Sequence, residues 1–120
     1  MLSIWVAVGL SEENAVATFG PNNVKVYHTY YQPLEWKITK SQEKCYVKLI
    51  CHGDNEKVIG FHILGPNAGE ITQGYALALR FGPTKEDFDM TIGIHPTSAE
   101  YIHNLKYTKD DEIKYNTCDT

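Results

Sequence analysis

The sequence predicts an α+β domain in which two or three helices pack on an antiparallel β-sheet. Three observations carry this. Residues 45–52 place Cys45, Val47, Leu49 and Cys51 on one face and residues 57–65 place Ile59, Phe61 and Ile63 on one side, the two runs being parted only by the turn chemistry of Gly53-Asp54-Asn55, too little chain for a crossover helix. Helix-start signals recur at Ser11, Asn67, Thr84 and Thr97 ahead of apolar side chains at helical spacing. The 120 residues, 42% hydrophobic and 22% charged, have the make-up of one globular unit, and a domain of that length buries roughly two-thirds of its unfolded surface around a single core.

The elements follow in order. Residues 1–10 are apolar but too short to span a bilayer, and they lack the basic flank of a secretory signal, so they read as a strand. Ser11 caps a short helix over 12–19, with Glu12 and Glu13 at its positive end and Gly20-Pro21 closing it; Asn22-Asn23 makes a turn. Residues 24–31, rich in Val, Tyr and Thr, form a strand that Pro33 confines to an edge or a bend, and Leu34-Glu35-Trp36 is expected to bend across the sheet.

Cys45, Val47, Leu49 and Cys51 share one face of the next strand, with Tyr46, Lys48, Ile50 and His52 on the other; Ile59, Phe61 and Ile63 share a face of its hairpin partner. Asn67 with Glu70 has the spacing of a capping box opening a helix to about Phe81. Ile71, Tyr75, Ala78 and Leu79 form its apolar face, and Ala68, Gly69 and Gly74 offer small surfaces for close approach. Thr84 with Asp87 starts a short helix through Met90, and a last helix is expected over 97–105 with Tyr101, Ile102 and Leu105 inward. Residues 109–120 read as a flexible tail, and the whole chain, 1–120, reads as one domain.

Net charge is −4, with Lys and Arg scattered, which speaks against a nucleic-acid or anionic-membrane partner. Cys45, Cys51 and Cys118 are an odd set without close spacing, so a disulfide framework is not expected and a reducing compartment is, the cytoplasm first and the mitochondrion second. Cys45, Cys51, His52 and His62 lie near one hairpin. Because Cys51 and His52 point to opposite faces, no metal site is expected, and Cys45 and Cys51 read as small buried hydrophobes.

The stretch with chemistry in it is Gly93-Ile94-His95-Pro96-Thr97-Ser98-Ala99-Glu100. One reading is a second capping box, Thr97 accepting from the Glu100 amide and Glu100 reaching back to Thr97. The other pairs Glu100 with His95: a carboxylate against an imidazole fixes its tautomer and favours the charged ring, suiting it to proton transfer near neutrality. Spacing alone leaves both open.

Three segments carry a family likeness: Tyr27-His28-Thr29-Tyr30-Tyr31-Gln32-Pro33-Leu34-Glu35-Trp36, residues 60–74 (Gly-Phe-His-Ile-Leu-Gly-Pro-Asn-Ala-Gly-Glu-Ile-Thr-Gln-Gly), and residues 91–100. Together they resemble the C-terminal dimerisation domain of the FAD-dependent pyridine nucleotide-disulfide oxidoreductases, most of all animal-type thioredoxin reductases or thioredoxin-glutathione reductases. The likeness runs from about Gly9 to Thr108, with residues 1–8 divergent. It implies an interface domain that follows FAD- and NADPH-binding domains in a homodimeric parent. It further implies that His95 acts as general acid/base for thiol–disulfide exchange in the partner subunit, that Glu100 orients it, and that the backbone at His95 and Pro96 approaches the partner's flavin, with a His-Pro bond that can be cis. The parent's substrate would be thioredoxin or glutathione disulfide.

The chain departs from a whole reductase in three ways. Gly65, Gly69 and Gly74 do not have the spacing of a dinucleotide fingerprint, no redox-active Cys pair is present, and the ending Cys118-Asp119-Thr120 offers one thiol where animal thioredoxin reductases carry two redox groups. The isolated chain is therefore expected to be inactive and to bind neither FAD nor NADPH tightly. The alternative is a stand-alone interface module that self-associates or caps a full-length reductase without catalysis.

Overall fold

The computed structural model describes residues 3–33, 36 and 43–111. Along the chain come β1 (Ile4–Gly9), α1 (Glu12–Phe19), a 3-10 turn (Pro21–Asn23), β2 (Val24–Tyr31), β3 (Cys45–His52), β4 (Lys57–Gly65), α2 (Ala68–Leu79), α3 (Lys85–Met90) and a second 3-10 helix (Ser98–Asn104). The strands form one antiparallel sheet in the order β1-β4-β3-β2. Helices α2 and α3 and the second 3-10 helix cover one face, where Tyr31, Trp36, Cys45, Val47, Leu49, Cys51, Val58, Phe61, Ile63 and Ile102 form the main core. Helix α1 covers part of the other face over a small cluster of Ala15, Val26 and Ile50. The fold is the expected α+β arrangement.

Local chemistry explains most of the elements. Ser11 accepts from the Asn14 amide to cap α1, and Thr84 with Asp87 forms a complete capping box on α3. In β3 the expected face, Cys45, Val47, Leu49 and Cys51, is the buried one. Burial pushes the thiol of Cys45 up to about 11 and that of Cys51 up to about 12, so both stay protonated and unreactive at neutrality.

Several expectations need correcting. Ile59 does not share a face with Phe61 and Ile63. The register passes from Ile50↔Gly60 to Cys51↔Val58, leaving Ile59 as the extra residue of a β-bulge, so Val58 turns into the main core and Ile59 packs on the opposite cluster. The bulged Ile59 carbonyl accepts from the Leu10 amide at 2.9 Å, and a Cβ on Gly60 would meet the Leu10 carbonyl oxygen at 2.3 Å, so the crossing tolerates only glycine there.

Asn67 is not an N-cap. It adopts the left-handed conformation (φ 61°, ψ 16°) with no side-chain cap, because the chain turns from β4 into α2 within two residues, and asparagine is among the few side chains that accept that geometry. Of the three small residues expected to admit close approach, Ala68 does so, being fully buried in the core, whereas Gly69 and Gly74 have open space where a Cβ would stand.

The last helix is not α but a 3-10 helix of seven residues. Ala99 and Ile102 face inward one three-residue turn apart, the helix is kinked at His103 (φ −91°, ψ 27°), and Leu105 is buried just past its end. Leu34, Glu35 and residues 112–120, Cys118 among them, lie outside the described residues, while Trp36 is buried in the core and residues 108–111 are tied to β2 through Lys109 N–H to the Val26 carbonyl and the Tyr27–Thr108 bridge.

Candidate functional site

Helix α3 delivers the site. Its box at Thr84 starts it, the Lys85 amide donates to the Glu56 carbonyl at 2.9 Å, and the nearly buried Lys85 ammonium pairs with Asp89 and lies 4.5 Å from the Tyr27 ring centroid. Fixing α3 to the β3–β4 turn in this way fixes where the chain leaves it at Thr91. From there residues 91–95 run out along the surface, with Met90, Ile92 and Ile94 exposed, and turn back through a cis His95–Pro96 bond into the second 3-10 helix.

The turn brings His95 and Glu100 together. His95 Nδ1 lies 3.0 Å from each carboxylate oxygen of Glu100. A carboxylate accepts, so the hydrogen is on Nδ1, and Nε2 is the nitrogen left to exchange a proton with another molecule. Exposure is divided to match, 58% for the His95 side chain and 19% for Glu100. The rival capping box does not form. Thr97 makes no side-chain cap, its hydroxyl donating instead to the Ile94 carbonyl at 2.6 Å, and the Glu100 carboxylate turns towards His95.

Packing holds the two arms of this turn together. A Cβ on Gly93 would stand 2.8 Å from the Glu100 Cβ and 2.9 Å from its Cα, so the outgoing segment presses on the Glu100 backbone where only hydrogen fits. His103 Nδ1 lies 3.1 Å from the Phe88 carbonyl, and its Nε2 is in short contact with the hydroxyl of Tyr75, whose acidity burial weakens to a pKa of about 12. A cavity of about 440 Å³ opens beside the pair, lined by Gly93, Glu100, Tyr101, His103, Asn104 and Lys106 among others. The sequence marks Gly93 only as part of this stretch and Tyr75 only as a core position, and it gives His103 no role. The glycine beside Ile-His-Pro was the available signal, but nothing in the sequence joins Tyr75 to a histidine 28 positions on.

The other histidine and cysteine candidates stay apart. His62 Nε2 donates to the Leu10 carbonyl at 3.0 Å, His52 stacks on Phe19 with ring centroids 3.7 Å apart, and both described cysteines are buried free thiols. Among the described residues no three His, Cys, Asp or Glu side chains converge as a metal site, and no helix is long and apolar enough to cross a membrane.

Residues 5–106 match the family described as pyridine nucleotide-disulphide oxidoreductase, dimerisation domain. A thioredoxin reductase of Emiliania huxleyi is 52% identical over 105 residues, which make up 86% of this chain and 21% of that protein. The chain therefore spans about a fifth of that relative's length. With a family match over most of its residues, on an antiparallel sheet backed by helices, the chain belongs to the pyridine nucleotide-disulphide oxidoreductase dimerisation-domain family.

Proposed function

We propose that this chain is the C-terminal dimerisation domain of a thioredoxin reductase-like, NADPH-dependent disulfide oxidoreductase, and that it lends His95 and Glu100 to the active site of a partner subunit. The observation that carries the reading is the exposed imidazole held at Nδ1 by both oxygens of Glu100, which leaves Nε2 for a reacting sulfur.

In thiol–disulfide exchange the thiolate attacks and the departing sulfur leaves faster when protonated. Nε2 of His95 takes a proton from the attacking thiol and returns it to the departing one, while Glu100 holds the ring's orientation and stabilises the imidazolium between the two transfers.

The residues of this chain do not fit a dinucleotide pocket: the described strands pair only antiparallel, and the chain carries no glycine-rich fingerprint. FAD and NADPH are thus assigned to other parts of the parent, with the exposed His95–Pro96 loop as the portion of this chain that would lie against a flavin. Bound there, they would supply the electrons that reduce the dithiol, and thioredoxin or glutathione disulfide would receive them. The chain alone is expected to reduce nothing.

The test places His95→Ala and Glu100→Gln in the full-length parent. Turnover should fall on the order of 10² to 10⁴-fold for His95→Ala, the usual worth of a positioned acid/base, and by less for Glu100→Gln. Unchanged turnover in both variants rules the roles out.

A second reading keeps the interface and drops the catalysis. Leu77 on α2, Phe81 just past it, Met90 at the end of α3, and Ile92 and Ile94 on the segment leading to His95 are exposed apolar side chains through which the domain would self-associate or cap a full-length reductase. Mixing the chain with an intact reductase checks this; native mass spectra without a mixed dimer, together with unaltered turnover, dispose of it.

A further inference from the structure

We infer that His103 is a positioning residue for the His95–Glu100 pair, acting through its bridge between Tyr75 and the Phe88 carbonyl; the inference rests on the acid–base reading above. Glu100 rides on a short 3-10 segment that is kinked at His103 (φ −91°, ψ 27°) and whose internal bonding is weak. Its amide reaches the Thr97 carbonyl only at 3.4 Å, and Thr97 adds no side-chain cap. Short 3-10 segments have poor hydrogen-bond geometry, so the placement of Glu100 has to come from outside its own helix.

His103, one turn beyond Glu100, supplies that fixing. The Phe88 carbonyl can only accept, so His103 Nδ1 carries the hydrogen across their 3.1 Å separation, and Nε2 of the neutral ring is then the acceptor for the Tyr75 hydroxyl. Both ring nitrogens are engaged, and the ring packs against Tyr75 and Phe88 with centroids 5.6 and 6.0 Å away. Phe88 belongs to α3, which leads directly to His95, and Tyr75 belongs to α2, itself stacked on Phe61 of the sheet at 4.9 Å. One imidazole therefore ties the segment bearing Glu100 to the helix that launches His95 and, through Tyr75, to the sheet beneath.

The contact of Gly93 with the Glu100 backbone makes a second junction between the same two segments. With the segments joined at both Phe88/His103 and Gly93/Glu100, the equal 3.0 Å distances from His95 Nδ1 to the two carboxylate oxygens are held by packing rather than by the 3-10 helix itself.

The experiment is ¹⁵N NMR of the imidazole nitrogens in the 120-residue chain at about pH 9, well above the ordinary histidine value of ~6.5, where the nitrogen shifts report the tautomer. In the wild type both His103 and His95 should read as single Nδ1–H tautomers. His103→Leu should cost His95 that single-tautomer signature, returning it to the mixture of a free imidazole. His103→Gln should restore it, since a carboxamide can donate to Phe88 and accept from Tyr75. Tyr75→Phe removes one oxygen, should weaken the signature partially, and carries the test if the leucine variant does not fold.

A merely structural role would lower the melting temperature and leave the His95 nitrogens where they were; that result overturns the proposal, as does an Nε2–H tautomer at His103 in the wild type. Glu100→Ala is the control. If it fails to move the His95 nitrogens, the His95–Glu100 pairing itself is refuted, and the positioning role falls with it.

Discussion

His28 shows how a single buried side chain makes the domain sensitive to acid. It is 7% exposed on β2, with Nδ1 2.7 Å from the Tyr46 hydroxyl. Burial holds its pKa below the ordinary histidine value, with Lys109 and Lys48 pushing the same way and a backbone bond at Thr108 opposing. The unfolded chain takes up this proton near pH ~6.5 and the folded chain only at lower pH, so between the two the unfolded state binds more protons and stability declines as pH falls through that window. Urea unfolding at about pH 7 and about pH 5.5 should show a lower midpoint in acid, and the drop should shrink in His28→Gln, which keeps a polar contact for Tyr46 without a titrating ring. An equal drop in both proteins counts against His28. Gly60 makes a steric point at the same scale: Gly60→Ala should cost about 1–3 kcal/mol, because the neighbour its Cβ meets is the Leu10 carbonyl of the backbone and not a movable side chain.

At the scale of elements, two helices respond to substitution in opposite directions. Helix α3 is six residues long and depends on its start, where the Thr84 hydroxyl accepts from the Asp87 amide and the Asp87 carboxylate from that of Thr84. Thr84→Ala should destabilise the fold by ~1 kcal/mol, measured by denaturant titration, and should broaden the NMR signals of residues 91–95 that α3 leads into. Helix α2 carries Gly74 on an exposed surface with nothing within 4 Å of its would-be Cβ. Gly74→Ala should stabilise the isolated chain by roughly 0.5–1 kcal/mol, since alanine loses less backbone freedom in a helix. A loss of stability there would mean that the helix packs more closely than its open surroundings show.

For the molecule as a whole, the two faces of the sheet are unequal. One carries the main core and the helices α2 and α3, and on those helices and the segments that follow them Leu77, Phe81, Met90, Ile92 and Ile94 are exposed; Phe81 is 83% and Ile92 91% exposed. Apolar side chains that bare are costly to leave in water and suit a surface that a second subunit covers. Phe81→Glu and Ile92→Glu should leave the fold intact by circular dichroism while reducing self-association, or association with a full-length reductase, in analytical ultracentrifugation. Undiminished association in both variants would place the interface elsewhere.

Much of this protein was legible in the order of its residues, because local rules govern the parts concerned. Alternation in 45–52 marks the side of β3 that faces the main core, Ser11 and Thr84 cap the helices they precede, and the pattern around Gly93 to Glu100 picks out an exposed imidazole with a carboxylate against it. What local rules could not reach depended on contacts between distant segments. Ile59 is turned away from Phe61 by a bulge that exists only once β4 has paired with β3, and Asn67 yields its cap to a sharp turn set by where α2 must lie. Between a capping box and a His–Glu pair, spacing by itself leaned to the box; the pair was decided when packing of Gly93 on Glu100, and of His103 between Tyr75 and Phe88, set the carboxylate in front of His95. Sequence thus fixed which side chains the turn contains, and the tertiary structure decided which of them meet, since a side chain's partner is set by the packing of backbones that sequence spacing does not describe.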